Sequence, residues 1–158
     1  MRARRLAFTK EHPHNTTRKL ITEPCLTLFW SGYLTVFLVL GFLDAGWLSF
    51  SLNHIYRPAL GHLMAERPRM LPALLFYLVY PLGVTALIVL PSLHGLGLYY
   101  ALTRGAILGL TAYATYNLAS MASLRGWPAW ISALDIAWGT IITCTSSIVT
   151  VFVLGRVG

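Results

Sequence analysis

The sequence predicts an all-α, polytopic membrane protein built as a four-transmembrane-helix bundle, and three observations carry that prediction. Of its 158 residues, 56% are hydrophobic and only 11% are charged, against about 25% charged in a soluble domain. Mean hydropathy is +0.65. The apolar residues are gathered into four long runs rather than spaced at amphipathic intervals, so the runs call for an apolar surrounding on every side.

In chain order, residues 1–24 read as a basic extension and 25–158 as one transmembrane domain. The extension holds Arg2, Arg4, Arg5, Lys10, Arg18 and Lys19, six of the twelve basic residues. The formal charge of +7 is therefore a tail and not a binding face, and no nucleic-acid partner is expected. Its Arg-rich, Thr-containing composition loosely resembles a mitochondrial presequence, and it is expected to be retained uncleaved. The two cysteines, Cys25 and Cys144, are too few and too far apart to form a metal or redox motif.

The spans are expected at 26–52, 70–93, 98–122 and 127–154, each longer than the roughly 20 residues that cross a hydrocarbon core. In lipid they must be helices, since only a helix satisfies its own backbone within one segment. The first run is about twice the length of a signal-peptide core and has no small-residue cleavage site after it, so it stays in the membrane. Pro68 and Pro72 mark the entry to the second span and Pro91 its exit, Pro81 should kink it, and Pro128 opens the fourth. Basic residues of the extension, with Arg156, outnumber Arg57, Arg67, Arg69 and Arg125 on the opposite side, so both termini are expected inside. Arg104, near the start of the third span, would snorkel to that inner side.

A mirror pattern runs through the spans. Leu43-Asp44-Ala45-Gly46-Trp47 in the first is echoed by Leu134-Asp135-Ile136-Ala137-Trp138 in the fourth, and Tyr77 and Tyr80 in the second by Tyr113 and Tyr116 in the third. Residues three apart share a helix face. At 1.5 Å per residue both aspartates fall roughly 7 to 9 Å above the midplane, in the outer half of the bilayer. The four tyrosines and Asn117 fall in that same layer. Arg57 and Arg125, with Tyr56, His54 and His62, sit on the two loops above.

An intramembrane carboxylate costs about 2.5 to 3.5 kcal/mol on insertion scales, so it should face other helices and find partners. One reading makes Asp44, Asp135, Trp47, Trp138, Tyr77, Tyr80, Tyr113, Tyr116, Asn117, Arg57 and Arg125 a binding cluster for a cation, a proton or a polar head group. The plainer reading, preferred from sequence, pairs each aspartate with Arg57, Arg125 or tyrosine hydroxyls and makes the cluster an internal lock. Gly105 and Gly109 form a Gly-x-x-x-Gly pair suited to close helix packing. The hydroxyls of Thr140, Thr143, Thr145, Ser146, Ser147 and Thr150 are expected to bond their own backbone or a neighbouring helix rather than line a pore. Trp30, Tyr99 and Trp127 sit near span ends, as interfacial aromatics do.

No lysine and no histidine lies in a span, which excludes an intramembrane Schiff base and axial haem ligation. Gly-x-Ser-x-Gly, His-Glu-x-x-His and phosphate-binding glycine loops are missing from the sequence. An enzyme is not expected, nor a metal or cofactor, though a bound lipid is compatible with the spans.

The residues Leu43-Asp44-x-x-Trp47, Tyr56-Arg57-Pro58-Ala59-Leu60-Gly61-His62-Leu63-Met64, Phe76-Tyr77-x-x-Tyr80, Ala112-Tyr113-Ala114-Thr115-Tyr116, Leu124-Arg125-Gly126-Trp127-Pro128 and Asp135-Ile136-Ala137-Trp138-Gly139 together resemble the family called domain of unknown function 2177. These are small four-helix membrane proteins, and the resemblance covers residues 35–145. It implies a fold and no activity. Where the family pattern is expected to read Tyr-Asp-Leu-Thr-Asn, this chain has Tyr116-Asn117-Leu118-Ala119-Ser120, an amide in place of an acid. The basic extension is a second departure.

Two functions follow as expectations. The first is a non-catalytic accessory subunit of a larger complex, with the lipid bilayer and other membrane subunits as its partners. Its membrane would be the mitochondrial inner membrane in preference to a bacterial plasma membrane, within an energy-converting assembly. The second is a small transporter or sensor that binds a cation or polar solute at the outer-leaflet Asp/Tyr/Arg cluster.

Overall fold

The computed structural model describes residues 13–64 and 69–157, with side chains at 25–64 and 69–156. Of the basic extension, residues 1–12 lie outside the described residues. The described chain is helical without a strand. Helix α1 spans Pro13–Ser51, passes through a wide π-helical turn at Leu52–Tyr56 and continues as α2, Arg57–Leu60. Helix α3 covers Met70–Val84, α4 Gly97–Ser123 and α5 Ala129–Val157.

Three stretches are long and apolar enough to cross a membrane, not the four separate spans expected: Cys25–Leu60, Met70–Ser123 and Ala129–Arg156. The difference lies in the middle one. Helix α3 does not stop at Pro91 but runs on through π-helical turns at Thr85–Val89 and Ser92–Leu96 into α4. Within the last of these turns the backbone leaves helical geometry, with His94 at φ −81°, ψ 16° and Gly95 at φ 118°. Gly97 follows at φ 73°. Positive φ of this kind is cheap only for glycine, so the Gly95-x-Gly97 pair is where the chain turns. The turn is sharp: the Tyr80 and Tyr113 rings are 6.2 Å apart, whereas a straight helix would separate positions 80 and 113 by about 50 Å.

The other boundaries follow local chemistry. Arg69 is extended (φ −81°, ψ 105°) immediately before α3, whose first turn accommodates Pro72. Pro128 precedes α5 rather than lying within it, and its carbonyl accepts the Ser132 amide at 3.4 Å. Pro81 lies buried inside α3, which stays helical around it. Having no N–H, it leaves the Tyr77 carbonyl without its intrahelical donor. One residue further on, the Leu78 carbonyl accepts the Tyr33 hydroxyl of α1 at 3.2 Å.

Packing is apolar at the rim and mixed at the centre. Phe42, Tyr99 and Met70 are 75–82% exposed, as suits side chains that face lipid tails. A core of Val36, Val84, Ile88, Val89, Ala101 and Val151 joins α1, α3, α4 and α5. Small polar residues fill much of the remaining interior, among them Thr85, Ser120, Thr143, Ser146, Ser147 and Thr150. Such side chains let helices approach closely in an apolar solvent. The expected Gly-x-x-x-Gly contact is present: a Cβ on Gly109 would lie 2.6 Å from the Gly139 carbonyl oxygen, and one on Gly105 would lie 3.0 Å from the Cys144 Cα. Helices α4 and α5 therefore meet backbone to backbone.

Candidate binding pocket

Helices α1, α3, α4 and α5 bring their polar groups to one place, around a cavity of about 550 Å³. Asp44 of α1, only 9% exposed, accepts the Tyr77 hydroxyl of α3 at 2.5 Å and the Trp138 indole of α5 at 3.2 Å. Asp135 of α5 accepts the Tyr56 hydroxyl at 3.1 Å and the Asn117 amide of α4 at 2.6 Å. Each carboxylate thus ties three elements together through one donor on each oxygen. Buried polar groups satisfied in this way are stabilising, and removing one partner is costly.

The mirror pattern in the sequence becomes a crossed arrangement in space. Trp47 and Trp138 stack with ring centroids 4.5 Å apart and planes inclined by 15°. Trp138 donates to the aspartate of the opposite helix, while the Trp47 indole donates to the Tyr56 hydroxyl at 3.5 Å, which itself donates to Asp135. Helical spacing explains the convergence. Asp and Trp three residues apart share a face on each helix, and α1 and α5 present those faces to each other.

Tyr80 and Tyr113 form the aromatic wall between α3 and α4. The Tyr80 hydroxyl lies 2.7 Å from Thr143 Oγ1, and since that threonine donates to the Gly139 carbonyl, Tyr80 is the donor. Tyr113 packs its ring directly onto Gly139, where any Cβ would collide with it. Asn117 is wholly buried and also donates to the Tyr113 carbonyl at 3.0 Å, while its Oδ1 has no hydrogen-bond partner. An acid at position 117 would set two carboxylate oxygens against one another, so the amide suits this neighbourhood.

Two expected members stand apart and a third is at the margin. Arg57 and Arg125 are exposed, and the partners of both carboxylates are the neutral groups just described, so among the described residues neither arginine pairs with an aspartate. Tyr116 lines the cavity but is 59% exposed and rests edge-on against Trp127. His54 is exposed, with Nδ1 2.7 Å from the Phe50 carbonyl oxygen, and His62 is also exposed.

Two contributors were not among the candidates read from sequence. The sequence puts Tyr56 on a loop above the layer, since the first span is expected to end at Leu52. The π-helical turn at Leu52–Tyr56 instead carries the helix onward. The signal was an i, i+4 series, Asp44, Leu48, Leu52, Tyr56 and Leu60, all of which line the cavity. The second is Gly139, whose role as the seat of an aromatic ring leaves no mark in composition.

Among the described residues no three His, Cys, Asp or Glu side chains converge as a metal site would require. The pocket offers carboxylate acceptors, aromatic faces and apolar surface, which is equipment for holding a solute.

The sequence model of a family described as a predicted membrane protein, DUF2177, matches residues 29–152. No curated protein and no solved structure matches the chain.

Proposed function

The chain belongs to the DUF2177 family of predicted membrane proteins, and from that premise we propose that it is a non-catalytic integral membrane protein that binds a small solute between its helices, as a transporter or sensor does. The observation that carries this reading is the cavity of about 550 Å³ with both intramembrane aspartates in its wall. That volume is within the range of about 300–1,000 Å³ of small-molecule sites, and the mix of apolar walls with a few convergent polar groups is typical of them.

In this reading the Met70–Ser123 stretch crosses the bilayer twice, with the turn at Gly95-x-Gly97 between crossings, giving four crossings and both termini on one side. The support is the Tyr80–Tyr113 ring contact and the length of the stretch, 54 residues, against roughly 20 needed to cross. The accessory-subunit reading, set in a mitochondrial inner membrane, draws on small size and the Arg-rich extension, and none of the pocket's features calls for it. The pocket favours a ligand of the chain's own.

Native mass spectrometry of the full chain, released from membranes, tests the proposal. A small-molecule adduct is expected on the unmutated protein, and its loss is expected in Ala112→Phe, which fills the cavity from α4. An adduct retained equally by both proteins, or found on neither, refutes it.

A further inference from the structure

The pocket has a one-sided chemistry. Its two carboxylates are held by four side-chain donors, Tyr56, Tyr77, Asn117 and Trp138, every one of them neutral. A neutral donor stabilises a carboxylate without cancelling its charge, and Arg57 and Arg125 stand exposed and apart. The cavity interior is therefore electronegative, and low-dielectric walls strengthen that field.

The donors are also spent. The Trp47 indole is committed to Tyr56, and the Tyr80 hydroxyl to Thr143. A guest is left with the remaining carboxylate lone pairs, the aromatic faces of the wall, and the hydroxyls of Tyr113 and Tyr116. Acceptors and π faces outnumber free donors, and the rest of the lining, such as Leu48, Leu52 and Met64, is apolar.

Resting on the pocket-binding reading above, we infer that the solute is a protonated amine carried on an apolar body. Its N–H groups meet the carboxylates, its charge lies against tyrosine and tryptophan faces, and its body fills the apolar end. An anion meets two carboxylates and is rejected. A bare divalent cation finds too few oxygen ligands, since such ions take six or more and no third acidic, histidine or cysteine group converges here among the described residues.

The test uses the full chain in phosphatidylcholine nanodiscs, with tryptophan fluorescence as readout and three probes of one shape: 2-phenylethylamine, a cation at neutral pH; propylbenzene, neutral; and 3-phenylpropanoate, an anion. The expected result is saturable binding of the amine at least about tenfold tighter than of propylbenzene, with no binding of the anion. Asp135→Asn should weaken the amine about tenfold and leave propylbenzene unchanged. This comparison on the unmutated protein stands whether or not the variant folds. Equal binding of amine and propylbenzene overturns the ammonium inference while the pocket reading survives. Binding of none of the three overturns both. Phosphatidylethanolamine added to the nanodiscs then identifies the source: displacement of the amine assigns it to a lipid head group, and no displacement assigns it to a free amphipathic amine.

Discussion

The Trp47 and Trp138 rings lie face to face, 4.5 Å apart at their centroids, and each indole N–H serves the aspartate of the other's helix. Trp138 reaches Asp44 directly, and Trp47 reaches Asp135 through the Tyr56 hydroxyl. The two Leu-Asp-x-x-Trp segments therefore form one reciprocal unit joining the first and last helices, and its energetics can be examined one residue at a time.

Asp44→Ala strands the Tyr77 hydroxyl and the Trp138 indole in a buried setting. Loss of about 2–5 kcal/mol is expected, since an orphaned buried donor costs roughly 1–3 kcal/mol. Asp44→Asn keeps one acceptor and should lose less. Thermal unfolding of both variants in the same detergent gives the ordering, and equal stability of Asp44→Ala and the unmutated protein would contradict it.

The Trp47–Tyr56–Asp135 relay makes Trp47→Phe and Tyr56→Phe non-additive. Trp47→Phe removes about 1 kcal/mol by breaking one net hydrogen bond, and Tyr56→Phe about 2 kcal/mol because it breaks both links. In a double-mutant cycle the coupling should reach at least about 0.5 kcal/mol. Simple additivity would show that Trp47 acts only through its stacking.

Gly139→Ala drives a methyl group into the Tyr113 ring. Overpacking of this kind costs about 1–3 kcal/mol. Tyr113→Ala placed in the same chain should relieve the clash, so that the double variant unfolds above the value expected from the two single effects. Unfolding temperatures of the three variants decide this, and no loss on Gly139→Ala alone would refute the contact.

The turn at Gly95 predicts a topology. In a chain whose two cysteines are replaced by serine, a single cysteine at Leu96 should react with a membrane-impermeant maleimide from the same side as one at Gly158. Opposite-side labelling would mean an odd number of crossings between them. Gly95→Ala, forced to φ 118°, should destabilise by roughly 1–2 kcal/mol.

Much of the pocket could be read from residue order. Asp44, Trp47, Tyr77, Tyr80, Tyr113, Asn117, Asp135 and Trp138 were selected by type, three-residue spacing and depth, and the structure brings these together. Depth follows directly from 1.5 Å of rise per residue, so a helical span turns position into height. The expectations that failed depended on lateral direction or on reach. Of the partners offered for the aspartates, Arg57 and Arg125 or tyrosine hydroxyls, it is the hydroxyls of Tyr56 and Tyr77 that bond them. Tyr56 was misplaced because a π-helical turn admits an extra residue without ending the helix, which hydropathy does not register. The three continuous stretches in place of four separate spans have the same origin: Pro91 looks like a terminator, but helical hydrogen bonding passes it and the reversal waits for Gly95.

Rigidity is distributed unevenly around the cavity. On one side the glycines at 105, 109 and 139 press α4 and α5 together until their backbones touch, and close-packed contact of this sort leaves little slack. On the other side, α1 and α3 contain or lead into every wide turn among the described residues, at Leu52–Tyr56, Thr85–Val89 and Ser92–Leu96, together with the buried Pro81. Widened turns interrupt regular helical bonding and are common where helices flex. The two aspartates therefore sit in unlike frames: Asp135 on a helix whose backbone is pressed against its neighbour, Asp44 on one that widens a few residues further on, at Leu52–Tyr56.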